Sequence, residues 1–452
     1  MDIAKSTEPT NMEKPLLIQQ YLISYPIAMI VLSVSVASLL GSRLVKRWIS
    51  IIATLGLVFF LINTYILHYP GGTDFFTFRD AGVAVLEGAN PYADVAMVSP
   101  PTALPLFALM ASLRVNTGLF VWTTLNIGAA LALVPLSQLA VQVQTRRKFK
   151  ALPKDLLRLS IATVVLSFPI SWSINLGQLA LLESVCLFTA LYAQGKNWPM
   201  LAGGALALAT IKPQTLLPFL LLFLRKSDFR TWVSFTFFVL VLCLASTPLD
   251  TLLLRIQQEL VNISTLAAPG ASNDYSFEGP FHYNIIGIEH ALYCLGLRDR
   301  GVIRITQLVI LGLLGGGLAV EIGRKGLPRG GACALVAIYS CIFLYHRFHD
   351  VSILTLPLVY TWSRGLFSER PGRFLFIATF IALLPLFFIH SKLVEVVVEA
   401  ISSKVGGIQW LLNALFLPYA TWLALIAMGL LYMALKTSGD DADGHPLALG
   451  AI

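Results

Sequence analysis

Apolar runs recur along this chain from Ile27 to Met433, separated only by short polar or basic connectors. A helix needs about 20 apolar residues to cross the hydrocarbon core of a bilayer, and in lipid every backbone N–H and C=O must be satisfied within the protein. A chain patterned in this way folds as a bundle of membrane-spanning helices. Composition agrees: 56% of the 452 residues are hydrophobic and 12% charged, against about 45–50% and about 25% in soluble domains. A cytosolic enzyme, a disordered chain and a secreted disulfide scaffold are excluded. No stretch is polar enough to form a separate water-soluble domain. Residues 21–435 read as one membrane domain, between a polar N-terminal tail (1–20) and a cytoplasmic tail (436–452) that carries Asp440, Asp441 and Asp443. Met1 to Pro15 has no basic n-region or small-residue cleavage site and does not read as a secretory signal. Of five cysteines, Cys186, Cys243, Cys333 and Cys341 lie in apolar segments and Cys294 in a polar loop, with no metal-type or disulfide spacing.

The expected fold class is all-α and polytopic, with about 11–13 transmembrane helices. Candidate spans are 21–41, 50–67, 118–142, 159–175, 178–193, 199–212, 214–224, 231–248, 303–323, 331–345, 350–363, 374–390 and 408–435. Pro213 breaks the pair 199–212 and 214–224, and Ser99-Pro100-Pro101 and Pro105 leave 100–113 too short to span. The net charge of +8 does not indicate nucleic acid, because no basic stripe is interleaved with aromatics. The cations cluster instead at Arg43/Lys46/Arg47, Arg146/Arg147/Lys148/Lys150/Lys154/Arg158, Arg225/Lys226/Arg230, Arg324/Lys325/Arg329 and Arg364/Arg370/Arg373, with Lys196 and Lys436. Cytoplasmic loops carry such excesses. Alternation then gathers on the opposite, extracytoplasmic face the first outer loop (68–117), Asn175 to Gln178, Lys212-Pro213-Gln214, the long outer loop (249–302), His346 to Asp350, and 390–407. The N-terminus lies outside if 21–41 spans and inside if it is re-entrant.

The first outer loop has Thr73 as a candidate N-cap and Gly88 as a candidate C′ residue, predicting an amphipathic surface helix over 74–87 with Phe75, Phe78 and Val85 against lipid or protein. Asp74 falls in its first turn, where the helix dipole favours an ionised carboxylate able to accept a proton. The alternative is that Asp74 or Asp80 only caps or solvates a loop.

Asp74-Phe75, Ala81-Gly82, Gly88-Ala89-Asn90-Pro91-Tyr92 and Ser99-Pro100-Pro101 together resemble the first-loop signature of family 87 glycosyltransferases, membrane enzymes of the GT-C class. Asn175-Leu176-Gly177-Gln178, Ile211-Lys212-Pro213, and His349-Asp350 followed by Leu354 and Pro357 extend the resemblance, in order, from about residue 50 to about 365. It implies transfer of a hexose, often mannose, from a polyprenyl-phosphate-sugar donor to a hydroxyl of a glycan, lipid or glycolipid acceptor on the non-cytoplasmic face of a cell membrane. The base it implies maps to Asp74.

The residues suit that chemistry on their own terms. Direct displacement needs one carboxylate to deprotonate the attacking hydroxyl, and cations, not an acid, for the departing phosphate. Asp74 offers the base, with Asp80 as competitor or acceptor-orienting group. Lys212, Arg347, His346, His349 and Arg79 offer the cradle. One displacement predicts inversion, since retention in the usual hydrolase pattern uses a second carboxylate as nucleophile. Asn90, Tyr92, Asn175, Gln178, Gln214, His282 and Tyr283 are candidate substrate contacts. Lys212 reads either as a snorkelling helix-end lysine or as a phosphate-binding cation. A divalent cation with His346, His349 and Asp350 is an option that some GT-C relatives use, and metal is left unassigned. The long outer loop reads as a sugar or acceptor lid, or as an ordinary connector. Asn262-Ile263-Ser264 fits an N-glycosylation sequon. The contrasting functions are a lipid or small-molecule transporter and a ligase or polymerase of lipid-linked glycans. A transporter would distribute ionisable groups near mid-membrane, where few besides Glu183 occur.

Overall fold

The computed structural model describes residues 55, 56, 58, 72–94, 96–145, 151–324, 326–367, 372–403 and 407–438. The candidate spans 21–41 and 50–67, most of the first two basic clusters and the acidic tail lie outside the described residues, apart from those three positions and Lys154 and Arg158. Among the described residues 78% are helical, in 18 helices. In order they are α1 (Thr73–Leu86), α2 (Leu104–Ala111), α3 (Val115–Thr145), α4 (Lys154–Val165), α5 (Phe168–Leu176), α6 (Ala180–Gly195), α7 (Pro199–Ala209), α8 (Pro213–Phe219), α9 (Phe229–Leu244), α10 (Leu249–Leu266), α11 (Ile288–Cys294), α12 (Arg300–Gly323), α13 (Arg329–Ile342), α14 (Thr355–Phe367), α15 (Arg373–Phe388), α16 (Ser391–Ser402), α17 (Gln409–Phe416) and α18 (Tyr419–Thr437). Two two-residue strands, β1 (Ile285–Ile286) and β2 (His346–Arg347), pair antiparallel.

Four helical stretches among the described residues are by themselves long and apolar enough to cross a membrane: α3, Lys226–Leu244, α12 and α18. Two bent pairs, α4 with α5 at 57° and α15 with α16 at 89°, raise the number to six if each is one span. Shorter apolar helices, α6, α7, Pro213–Phe223 and α13, pack among them. The protein is a multi-pass, all-α membrane protein.

Prolines account for two of the departures from the expected spans. The span 159–175 is broken at Leu166 and Ser167, because Pro169 in the first turn of α5 has no N–H with which to continue α4. The span 408–435 splits into α17 and α18 around Leu417 and Pro418. The span 350–363 starts later than expected: Phe348–Leu354 is a 3-10 turn and α14 begins at Thr355. The predicted break at Lys212-Pro213 is present, and Pro101–Ala111 is too short to cross.

The bundle has two unlike ends. At one, Lys436 pairs with Glu321 at 2.7 Å, Gln194 donates to Leu222 O at 3.0 Å and Arg373 to Gly365 O at 2.9 Å, close to the basic connectors. At the other, the polar loops interlock. Asn90 donates to Gln258 (2.8 Å), and Asn262 Nδ2 donates to the carbonyls of Tyr92, Asp94 and Met97 at 3.2, 3.1 and 3.0 Å. Asn262 is buried with its amide committed to these three acceptors, so the sequon it begins is not an accessible glycan acceptor.

At the interlocked end α1 crosses α2 closely. A Cβ added to Gly82 would lie 2.2 Å from the Phe107 carbonyl oxygen, while Phe78 stacks on Phe107 with ring centroids 4.7 Å apart. Gly82→Ala is expected to force the two helices apart and to destabilise the fold by about 1–3 kcal/mol. An unchanged unfolding midpoint in detergent would show that the crossing tolerates a methyl group.

Candidate active site

The placement of Asp74 begins with the turn after α5. Gly177 ends α5 at φ 74°, a left-handed conformation that glycine adopts without strain. A Cβ there would lie 3.1 Å from both Phe75 Cβ and Trp122 Nε1, so the turn is packed beneath α1. Trp122 donates its indole N–H to Gly177 O at 2.8 Å, and Gly72 donates to Asn175 O at 2.8 Å. The start of α1 is therefore tied to the end of α5. Gly72, not Thr73, is the N-cap, and Thr73 is the first helical residue; Gly88 is the left-handed C′ residue as predicted. Phe75 is buried, and Phe78 and Val85 pack with it against protein.

Asp74 is half-buried at the head of α1, and its carboxylate has no hydrogen-bond partner among the described residues. Burial pushes its pKa above the usual carboxylate range, and the positive charges of Arg347 and Lys212 pull it part of the way back. The sequence argument from the helix dipole predicted the opposite direction. Desolvation outweighs the dipole here, because the first turn of α1 is packed against α5 and α3.

Lys212 sits in the break between α7 and α8, and its ammonium is bound to Asp350 Oδ1. Both partners are largely enclosed, at 13% and 5% exposure, which is the setting of a desolvated ion pair. Asp350 Oδ2 accepts from the Arg347 backbone N–H at 3.1 Å, with His346 Nδ1 at 3.4 Å; His349 Nε2 lies 3.7 Å from Oδ1. Burial opposes ionisation of Asp350, but Lys212, with the hydrogen bond from His346, prevails and holds the carboxyl well below the ordinary range. Burial drives His349 down to about 3, so its ring is neutral at physiological pH. It does not serve as a cation of the cradle.

The 3-10 turn that carries Asp350 is pinned from below. Ser173 Oγ donates to His349 O at 3.2 Å, Ser352 Oγ donates to Ala180 O at 3.2 Å, and Ser352 Oγ lies 2.9 Å from Ser184 Oγ. Arg347 is held from above: its Nε donates to Tyr345 OH at 2.7 Å, and its terminal nitrogen donates to Ser272 O and Asn273 Oδ1. Tyr345 in turn donates to Asn273 Oδ1 at 2.9 Å. Four distant stretches thus meet, supplying one carboxylate without a hydrogen bond among the described residues, two cations, and a second carboxylate already neutralised.

The model of glycosyltransferase family 87 matches residues 98–344, more than half of the chain. The chain belongs to glycosyltransferase family 87. No curated protein matches it. As a family 87 member it is a glycosyltransferase, acting on a sugar donor and an acceptor. The matched region contains Asn175 to Gln178 and Lys212, whereas Asp74 lies before it and His346 to Asp350 after it.

Within this family 87 enzyme the remaining predicted residues fall into three groups. Gln214, Asn175 and Arg79 are half-buried; Gln178 is buried directly after Gly177; Asp80 is exposed on α1. Asn90 and Tyr92 hold the first loop together: Asn90 Oδ1 accepts from Tyr92 N at 3.1 Å, and Tyr92 OH donates to Ser99 O at 2.9 Å with the ring buried. His282 and Tyr283 contact α16, with His282 Nε2 3.2 Å from Glu395 Oε1 and the Lys392 ammonium 4.8 Å from the Tyr283 ring. The long loop is built into the fold, its centre fixed by buried Asp274, which accepts from Gly270 N, Ser276 N and Ser276 Oγ and pairs with Arg300 at 2.9 Å.

Sequence reasoning missed Asp350 as the partner of Lys212, and Tyr345 and Asn273 as the clamp on Arg347. The adjacency of His349 and Asp350 was the available signal, but it reads equally as a family motif, a phosphate contact or one option for a metal, and the metal is left unassigned. Among the described residues no group of three His, Cys, Asp or Glu side chains is arranged to hold a metal ion. The oxygens of Asp350 are committed to Lys212, the Arg347 N–H and His346, so this trio does not present a free ligand set for a divalent cation.

Proposed function

We propose that this family 87 glycosyltransferase transfers a hexose, mannose first among the candidates, from a polyprenyl-phosphate-sugar donor to an acceptor hydroxyl on the extracytoplasmic face of a cell membrane, with inversion. The observation that carries the reading is a half-buried carboxylate, Asp74, with no hydrogen-bond partner among the described residues and within electrostatic reach of the cations Arg347 and Lys212. The acceptor hydroxyl attacks the anomeric carbon and passes its proton to Asp74. The bond from that carbon to the phosphate oxygen breaks, and its electron pair leaves with the phosphate toward Arg347 and Lys212. A base is most effective when its pKa lies near the working pH, and the upward displacement of Asp74 is in that direction. His346 adds a buried ring nitrogen, Nε2, with no partner among the described residues; with Nδ1–H turned to Asp350, Nε2 is an acceptor for a sugar hydroxyl. The extracytoplasmic assignment rests on the basic connectors gathering at the opposite end of the bundle.

The test is transfer of labelled sugar from polyprenyl-phosphate-mannose, with glucose and arabinose counterparts, by the purified protein in lipid. Product of inverted configuration from the mannose or the glucose donor is expected, and turnover of the pentose donor alone would overturn the hexose assignment. Turnover with a nucleotide sugar and with none of the three would sink the donor assignment.

A further inference from the structure

We infer that α16 lies flat in the membrane interface on the active-site side, and that Glu395 on its inner face acts through His282 to hold the His346–Arg347 strand in position. The second half of the inference rests on the reading of the site given above.

The geometry of α16 is that of a helix lying on a membrane. The chain turns by 89° between α15 and α16. The 12 residues of α16 extend about 18 Å at a rise of about 1.5 Å per residue, well short of a hydrocarbon core of about 30 Å. Its outward residues are apolar: Leu393, Val396, Val397 and Ile401 are 47%, 50%, 47% and 42% exposed. Its inner face carries Ser391, Glu395 and Val398, all buried. Spacing of three and four residues places each set on its own side of the helix. Lipid is the occupant that fits the outward face, because α16 continues directly from the apolar helix α15, and because Lys392 and Glu399, both exposed, stand together along one edge of the stripe, where charged heads reach water.

The inner face is bonded to the loop that reaches the site. Glu395 pairs with His282 at 3.2 Å and also with Lys392, while Ser391 Oγ donates to Asn284 Oδ1 at 2.8 Å. Burial raises the Glu395 carboxyl, but the hydrogen bonds from His282 and Lys392 outweigh it and keep the group below the usual range. Asn284 immediately precedes β1, whose Ile285 and Ile286 pair with Arg347 and His346. One short path therefore runs from the lipid-facing stripe through Glu395, His282 and β1 to Arg347. His282 is a positioning residue in this arrangement, two hydrogen-bonded links from the cation it steadies.

Two measurements test the inference. Val397→Cys carrying a spin label, in lipid nanodiscs, is expected to be accessible to oxygen and shielded from a water-soluble nickel chelate at shallow depth. Free access of the chelate would overturn the interfacial placement. Glu395→Gln is expected to raise the KM for polyprenyl-phosphate-mannose about tenfold with kcat within about twofold, Glu395→Asp recovering most of it, because a loosened Arg347 binds phosphate less well in ground and transition states alike. His282→Gln cuts the same link from the other side and is expected to match it, which covers the case in which a Glu395 variant does not fold. An unchanged KM in both, or a lower kcat and unfolding midpoint at constant KM, would overturn the positioning role. If Asp74→Asn retained wild-type turnover the reading of the site would fail, while the spin-label result would still decide the placement of α16.

Discussion

Asp74→Asn is expected to lower kcat by about 100-fold or more while the protein remains folded, because it removes the group that takes the acceptor's proton and changes the side chain by a single isosteric exchange. Asp74 is half-buried and has no hydrogen-bond partner among the described residues, so its replacement breaks no hydrogen bond among them. Asp80→Asn, on the exposed side of the same helix, is expected to remain within about threefold of wild type. The reverse pattern would move the base six residues along the chain. The pH profile supplies an independent reading. Asp74 acts as a base only when deprotonated, so activity falls as pH falls through its pKa, which burial has raised. The acid limb of kcat/KM should therefore lie above the ordinary carboxylate range and vanish in Asp74→Asn. Arg347 and Lys212 both pull that pKa down, so Arg347→Gln should move the limb to still higher pH, in addition to weakening donor binding.

The second large effect concerns the enclosed pair. Asp350→Asn leaves Lys212 charged, largely buried and without its counter-ion, a change that costs about 3–5 kcal/mol when one member of a buried pair is removed. A large fall in the unfolding midpoint is expected, together with loss of activity, because the same carboxylate holds Lys212, the Arg347 backbone and His346 in register. The double variant Asp350→Asn with Lys212→Met removes both charges. Buried pairs replaced by apolar groups of similar size are often as stable as the original, so the double variant should recover most of the stability and none of the activity. Recovered turnover would show that Lys212 is a structural counter-ion only. If the two single-variant effects simply added in the double variant, the pair would not be coupled in the way its geometry requires.

Much of the architecture was legible because a bilayer leaves a chain few choices. Apolar runs, basic connectors and prolines announce where helices can lie and where they must stop: the predicted break at Pro213 and the helix over 74–87 closed by Gly88 were read to within a residue or two. The errors share a cause. Where Pro169 and Pro418 interrupt a span, hydropathy averaged over a window is blind to one missing N–H. The pKa direction of Asp74 was misjudged because a helix terminus is a local feature, whereas desolvation depends on Phe75, Trp122 and Gly177 closing around it from other helices.

The amino-acid order alone thus determined that this protein is a helical membrane protein, which of its loops are polar, and, through scattered short motifs, the family to which it belongs. Partners were decided only by tertiary structure. Lys212 and Asp350 are 138 residues apart in the chain, and nothing in either neighbourhood specifies that one ammonium will meet that carboxylate. The same holds for Asn262 locking the first loop and for Glu395 reaching His282. Propensity and hydropathy act over one or two helical turns, whereas ion pairs and buried hydrogen bonds form between whichever groups the packed helices bring within about 3 Å.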